Sequence, residues 1–195
     1  MSPSNDRTES TKSVLINLEY KTFYQGRDIL ACSKTGSGKT AAFALPILEK
    51  LAEDPYGVFG VVLTPTRELA LQISEQFKLF GKGVNVRVEL VTGGMDSTAQ
   101  SVSLTQLPHI IVATPGRLAD LLRSTDLRLN KVKFFVMDEA DRLLDREDGD
   151  FTADLGEIME KLPPREKRQT LMFSATLSET ITEARSCATQ EPFFW

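Results

Sequence analysis

The run Ser33-Lys-Thr-Gly-Ser-Gly-Lys-Thr40 follows the apolar stretch Asp28-Ile-Leu-Ala-Cys32 and leads into Ala41-Ala-Phe-Ala-Leu-Pro-Ile-Leu48. The order is strand, glycine-rich loop, helix. Such a loop aims several backbone N–H groups and a helix N-terminus at one spot, where phosphate can sit. Ser33, Lys34, Thr35, Gly36, Ser37 and Gly38 would form the cradle, Lys39 would bring a mobile positive charge to the terminal phosphates, and Thr40 a hydroxyl to a magnesium ion. The pattern points to a nucleoside triphosphate. The full motif has glycine where this chain has Ser33, and a helix start with glycines for close packing is the alternative reading.

Short apolar runs alternate with helical patterns along the rest of the chain. Strands are expected at Gly57–Thr64, Val84–Val91, His109–Ala113, Val132–Met137 and Gln169–Phe173, the last of them. Helices are expected at Arg67–Phe80, Ser97–Thr105, Gly116–Arg123, to Leu144, to Leu162 before Pro163-Pro164, and at Glu179–Cys187. An acidic loop, Asp145–Asp150, interrupts the series, and residues 1–13 read as a polar, disordered tail. This alternation implies an α/β domain: a mostly parallel sheet with helices on both faces, whose ligands sit beyond the carboxyl ends of the strands. The Leu71/Ile73 and Phe77/Phe80 pattern reads as core packing, and Phe193-Phe-Trp195 as an aromatic tail seeking burial against a missing partner surface.

Composition narrows the classes. With 195 residues, 41% hydrophobic and 26% charged, the chain can bury a proper core. No apolar run approaches the ~20 residues that cross a bilayer, and Met1–Lys12 lacks the apolar core of a secretory signal. Cys32 and Cys187 are the only cysteines, so a reducing compartment is expected, with Cys32 filling space beside the loop. The net charge of −4 excludes a broad basic surface. Any nucleic-acid contact must come from a few placed groups, namely loop amides, helix N-termini and selected arginines. His109, the single histidine, reads as a strand-edge residue, because nothing near it completes a metal set.

The strand Val132–Met137 ends in Asp138-Glu-Ala-Asp141, three carboxylates at the edge where the phosphate loop opens. Asp138 is placed as the hard oxygen partner of a magnesium ion also held by Thr40. Glu139 is then the group to orient and deprotonate the water that attacks the terminal phosphate. The alternative is an acidic first helical turn suited to the helix dipole. Pro65-Thr66 and Thr114-Pro115 each follow a strand and open a helix, so they can offer N-terminal amides to phosphates or simply cap their helices.

Pro65-Thr-Arg-Glu-Leu-Ala70, Thr114-Pro-Gly-Arg117, Asp138-Glu-Ala-Asp141 and Ser174-Ala-Thr176 together resemble, in order, the motif set of DEAD-box ATP-dependent RNA helicases. The resemblance runs from about Gly26 to Trp195. It implies a RecA-like, ATP-binding first lobe with RNA lying across its surface near the nucleotide cleft, and ATP and Mg2+ as cofactors. Lys39 and Thr40 would serve phosphates and magnesium, Asp138 magnesium, and Glu139 the attacking water, making Lys39, Asp138 and Glu139 the catalytic set. Asp141, Ser174 and Thr176 would couple hydrolysis to lobe movement. Pro65, Arg67, Gly94, Thr114, Gly116 and Arg117 would hold RNA through its backbone, with little sequence specificity. Within the family, Glu53–Phe59, Gly93–Asp96 and Asp150–Leu155 look closest to a nucleolar branch that assists assembly of the small ribosomal subunit. That implies pre-ribosomal partners and a nucleolar, or alternatively cytoplasmic, location, with no membrane.

Two departures stand out. The family carries an adenine-reading glutamine about ten residues before Gly26-Arg-Asp28, whereas the stretch Lys12–Tyr24 has none there, and Gln25 abuts the Gly-Arg-Asp. Residues 1–25 are thus expected to be a polar tail and an incomplete adenine segment, and 26–195 the ATP-binding lobe. The second lobe, with its phosphate-reaching arginines, would lie beyond Trp195. The chain is therefore expected to be a fragment, abbreviated isoform or imperfect gene model that alone binds nucleotide weakly and hydrolyses it slowly. A non-catalytic RNA- or partner-binding module, and an unrelated P-loop ATPase, are the competing readings.

Overall fold

The computed structural model describes residues 22–32, 38–145 and 151–176, together with the backbone of 193–194. The polar tail, most of the Lys12–Tyr24 segment, loop residues 33–37, most of the acidic loop and the helix expected at 179–187 lie outside the described residues.

The strands are β1 (Ile29–Cys32), β2 (Gly60–Leu63), β3 (Val88–Val91), β4 (Ile110–Ala113), β5 (Phe134–Asp138), β6 (Gln169–Ser174) and β7 (Phe193–Phe194). They form one seven-stranded sheet in the order β3-β4-β2-β5-β6-β1-β7. Every pairing is parallel. The helices are α1 (Lys39–Glu53), α2 (Arg67–Phe80), α3 (Ser97–Thr105), α4 (Pro115–Ser124), α5 (Ala140–Leu144) and α6 (Thr152–Lys161). The fold is the expected α/β, RecA-like arrangement.

The strands β2, β4, β5 and β6 are buried at every position and mostly apolar because both faces are covered. Alternate residues serve opposite sides. Val61, Leu63, Ile111, Ala113, Phe135 and Met137 join Leu118, Leu122 and Ile158 of α4 and α6 in one core. Val62, Ile110, Val112, Val136, Leu171 and Phe173 join Phe43, Ile47 and Phe77 of α1 and α2 in the other. Each such side chain contributes about 1.5–3 kcal/mol on burial. That is why α1 runs through Pro46, which lacks the N–H for a bond to Ala42: buried Ile47, Leu48 and Leu51 follow it and anchor the next turn.

Several expectations need correction. Strand β3 starts at Val88, not Val84, because Gly81–Val84 closes as a 3-10 turn and Asn85 takes a left-handed conformation at φ 51°. Strand β2 is shorter than Gly57–Thr64, and β6 is not the last strand. Phe193–Phe194 pair with Ile29 and Leu30 on the free side of β1, so their backbone extends the sheet; Trp195 lies outside the described residues. On α2, Ile73 and Phe77 are buried, but Leu71 and Phe80 are exposed. Leu71 stands about 200° around the helix from Ile73, off the buried stripe, whereas Phe80 keeps the stripe's spacing but is the last residue of α2.

Candidate functional site

All seven strands point the same way, so every strand-to-helix turn described opens on one edge. Strand β6 lies between β1 and β5, with Cys32 in register with Ser174 and Asp138 with Phe173. That register brings the start of α1, the Asp138-Glu-Ala-Asp141 turn and Ser174-Ala-Thr176 side by side.

Gly38 is the N-cap of α1 at φ 94°, a left-handed conformation that suits only glycine well. Lys39 and Thr40 are the first helical residues and half-buried; Ser33, Lys34, Thr35, Gly36 and Ser37 lie outside the described residues. Asp138 ends β5, only 6% exposed. Its Oδ1 accepts the Glu139 N–H at 3.1 Å. Burial pushes its carboxyl pKa up; the Lys39 ammonium and the Glu139 N–H pull it back, while the Glu139 and Asp141 charges add to the rise. The Lys39 ammonium is thus close enough for its charge to be felt by the Asp138 carboxyl.

Glu139 has a left-handed backbone, φ 54°, a conformation that non-glycine residues adopt mainly where the surroundings impose it. Its Oε2 pairs with Arg142 Nη1 at 3.1 Å, and the Glu139 side chain is 14% exposed. One turn on, Asp141 bridges α5 to the end of β6. Its Oδ2 accepts from the Ala175 N–H at 3.0 Å and from the Thr176 N–H and Oγ1 at 3.1 Å each. Burial would raise the Asp141 pKa, but hydrogen bonds from Ser174, Thr176, Ala175 and Arg142 outweigh it and hold the carboxyl below the usual range. Ser174 closes the turn, donating to the Thr176 carbonyl at 2.6 Å.

A second cluster occupies the same edge on β3, β4 and β2. Thr66 caps α2, its Oγ1 accepting the Leu69 N–H at 3.3 Å, with half-buried Pro65 just before it. Thr114 is the N-cap of α4 with Pro115 in the first turn, yet its hydroxyl caps no backbone N–H. Capping therefore accounts for Thr66 and leaves the Thr114 hydroxyl unassigned. The Arg67 guanidinium packs close against Gly93-Gly94: a methyl group at Gly94, where φ is 82°, would sit 2.6 Å from Arg67 Nη1. Arg117 reaches the same turn from the other side, donating from Nη2 to the Met95 carbonyl at 3.1 Å. Gly116 packs close to Asp154 of α6, which would be 3.2 Å from a Cβ there. Arg67, Gly94 and Arg117 thus come together, with Thr114, Gly116 and Pro65 on the flanking turns.

The DEAD/DEAH box helicase family matches residues 18–184. The chain belongs to that family. Among curated relatives, a probable ATP-dependent RNA helicase DDX49 of Mus musculus is 58% identical over 172 residues, 88% of this chain and 35% of the relative. The ATP-dependent RNA helicase dbp8 of Schizosaccharomyces pombe is 52% identical over 165 residues, 83% of this chain and 36% of the relative. The ATP-dependent rRNA helicase rrp3 of Aspergillus fumigatus is 52% identical over 169 residues, 86% of this chain and 35% of the relative. This DEAD/DEAH box chain spans about a third of the length of the relatives it matches.

Other positions emerge only in the helicase fold. Asp28 is buried, its Oδ1 accepting the Thr170 N–H at 2.6 Å, while Gln169 Nε2 donates to the Phe23 carbonyl at 3.3 Å. These bonds lock the Gly26-Arg-Asp28 turn onto β6. Gln25 is exposed in that turn, at the opposite end of β1 from Lys39. Gln100 is buried beneath Arg117; the only trace of this in the sequence is its spacing of four from Leu104, another buried residue of α3. His109 Nδ1 accepts the Arg87 N–H at 3.2 Å on the sheet edge, as a strand-edge residue would.

Proposed function

We propose that residues 26–195 are the ATP-binding lobe of an ATP-dependent RNA helicase, coupling Mg-ATP binding and hydrolysis to RNA binding and remodelling. The observation that carries this is the register that sets the start of α1, the Asp138 turn and Ser174-Ala-Thr176 along one sheet edge, with Asp141 tying that edge to Ala175 and Thr176.

The donor set suits magnesium. Asp138 holds a desolvated carboxylate with one oxygen on the Glu139 N–H, and Thr40 opens the helix beside it. A divalent cation there would relieve the cost of burying that charge. Among the described residues no three His, Cys, Asp or Glu side chains gather as a metal set; for an ion held by Asp138 and Thr40, phosphate oxygens and water would supply the remaining ligands. When bound, Mg2+ neutralises charge developing on the phosphates.

The chain's own groups then divide the work. Gly38 and the preceding loop amides, with Ser33 to Ser37, hold phosphates; Lys39 neutralises them. Glu139 orients water and accepts its proton, its carboxylate held by Arg142. Asp141 transmits a change at the phosphate edge to Ser174 and Thr176. Arg67, Arg117, Thr114, Gly116, Gly94 and Pro65 form the RNA contact. The rRNA named for one relative makes ribosomal precursor RNA in the nucleolus the natural substrate class and place. Among the described residues no helix is long and apolar enough to cross a membrane.

The test is titration of ATP with and without Mg2+, alongside phosphate release with added single-stranded RNA. Lys39→Ala should abolish ATP binding. Glu139→Gln should keep binding and lose release. Unchanged ATP affinity in Lys39→Ala refutes the site; RNA binding without any magnesium-dependent release makes the lobe a non-catalytic RNA module.

A further inference from the structure

Gln100 is 3% exposed, the only strongly polar side chain on the buried side of α3. Its amide is fully engaged. Nε2 donates to the Leu90 carbonyl at 3.3 Å and the Thr92 carbonyl at 3.2 Å. Oε1 accepts from Arg117 Nε at 2.8 Å. Asp96 starts the helix that carries Gln100, its Oδ1 accepting the Thr98 N–H at 2.8 Å. The end of β3, the Gly93–Asp96 turn, α3 and the first turn of α4 therefore meet at one amide.

We propose that Gln100 is the positioning residue that aims the Arg117 guanidinium. The proposal rests on the RNA reading of Arg117 given above. An arginine offers five donors in a fixed plane, so fixing Nε fixes where the fork points. With Nε on Gln100 and Nη2 on the Met95 carbonyl, the guanidinium plane is pinned at two nitrogens, and neither bond engages Nη1. The amide suits this better than a charge would. Its oxygen takes the arginine proton while its nitrogen satisfies two strand carbonyls, which a carboxylate of the same shape cannot do. Gln100 itself does not touch RNA; it acts through Arg117.

The experiment uses the full chain, fluorescein-labelled single-stranded oligouridylate and anisotropy titration, with Gln100→Met, Arg117→Ala and the double variant. Gln100→Met keeps the side-chain volume and removes all three hydrogen bonds. It should weaken binding about tenfold, as expected for losing a hydrogen bond that orients a charged group. In the Arg117→Ala background the same change should alter affinity by less than about twofold, because two residues acting through one contact are not additive. Equal losses in both backgrounds, or no loss in Gln100→Met, overturn the proposal. In parallel, the Arg117 Nε–H resonance should be protected from solvent exchange in the native chain and lose protection in Gln100→Met; an unprotected resonance in the native chain also overturns it. Should Arg117→Ala bind RNA as the native chain does, the RNA reading fails, while the Nε–H measurement still decides whether Gln100 aims the guanidinium.

Discussion

Asp138 and Asp141 stand three residues apart on one turn, and their environments push their acidities in opposite directions. Asp138 is desolvated with one hydrogen bond, and its carboxyl titrates above the ordinary range. Asp141 is held below that range by the donors of the β6 turn. The sign for stability follows. Asp141 contributes stability that is present above the unfolded carboxyl's pKa and lost as pH falls through its lower folded value. Asp138 does the reverse: its ionisation costs the fold as pH rises through the unfolded and then the folded value. A magnesium ion requires Asp138 ionised, so magnesium-dependent nucleotide binding should fall off on the acid side at a pH above that of an ordinary aspartate. Asp138→Asn should remove that limb together with most of the magnesium dependence. Nucleotide titrations in Mg2+ and in EDTA across the acid range check both; an acid limb at or below the ordinary aspartate range counts against the assignment.

The helices show which parts of the pattern could be read in advance. On α2, Ile73 and Phe77 lie in the core against α1, while Leu71 and Phe80 face out. Phe77→Ala should cost about 3–5 kcal/mol of unfolding free energy, and Leu71→Ala at the exposed face under about 0.5 kcal/mol. Urea denaturation distinguishes them, and a Leu71 effect as large as that of Phe77 would mean α2 packs the other way round. Helical spacing located α2 because its apolar stripe is regular. Leu71 and Ile73 are both apolar, but two residues put them on opposite sides of the helix, so reading both as core overlooks the rotation that exposes Leu71. The start of β3 was misjudged for a similar reason: alternation continues through Val84 and Val86, but Gly81 and left-handed Asn85 turn the chain before pairing begins. Strand β7 has two residues, too short for any periodicity to register.

Across the described residues, the parallel sheet lines two clusters along one edge, Lys39 with the Asp138–Asp141 turn on β1, β6 and β5 and the arginine cluster on β3, β4 and β2. The chain carries a net charge of −4, so binding to RNA must lean on the local pair Arg67 and Arg117. For two cations, the logarithm of affinity for single-stranded RNA should fall against log salt with a slope of about −1.4. Anisotropy titrations over a salt series measure it; a slope several times steeper would require a basic surface elsewhere on the chain.

Local chemistry was enough to announce the phosphate loop, the acidic strand end, the alternating α/β order and the family, because each is written in contiguous residues whose types the chemistry dictates. Thr66 at its cap belongs to this class, whereas the left-handed backbone of Gly38 came only with the structure. Tertiary structure alone decided that the start of α1 lies beside the Asp138 turn, that Asp141 accepts from the Ala175 and Thr176 amides, and that Gln100 lies under Arg117. Those contacts join segments far apart in the chain or buried by other elements, and they exist only once strand order and register have set the distance between turns.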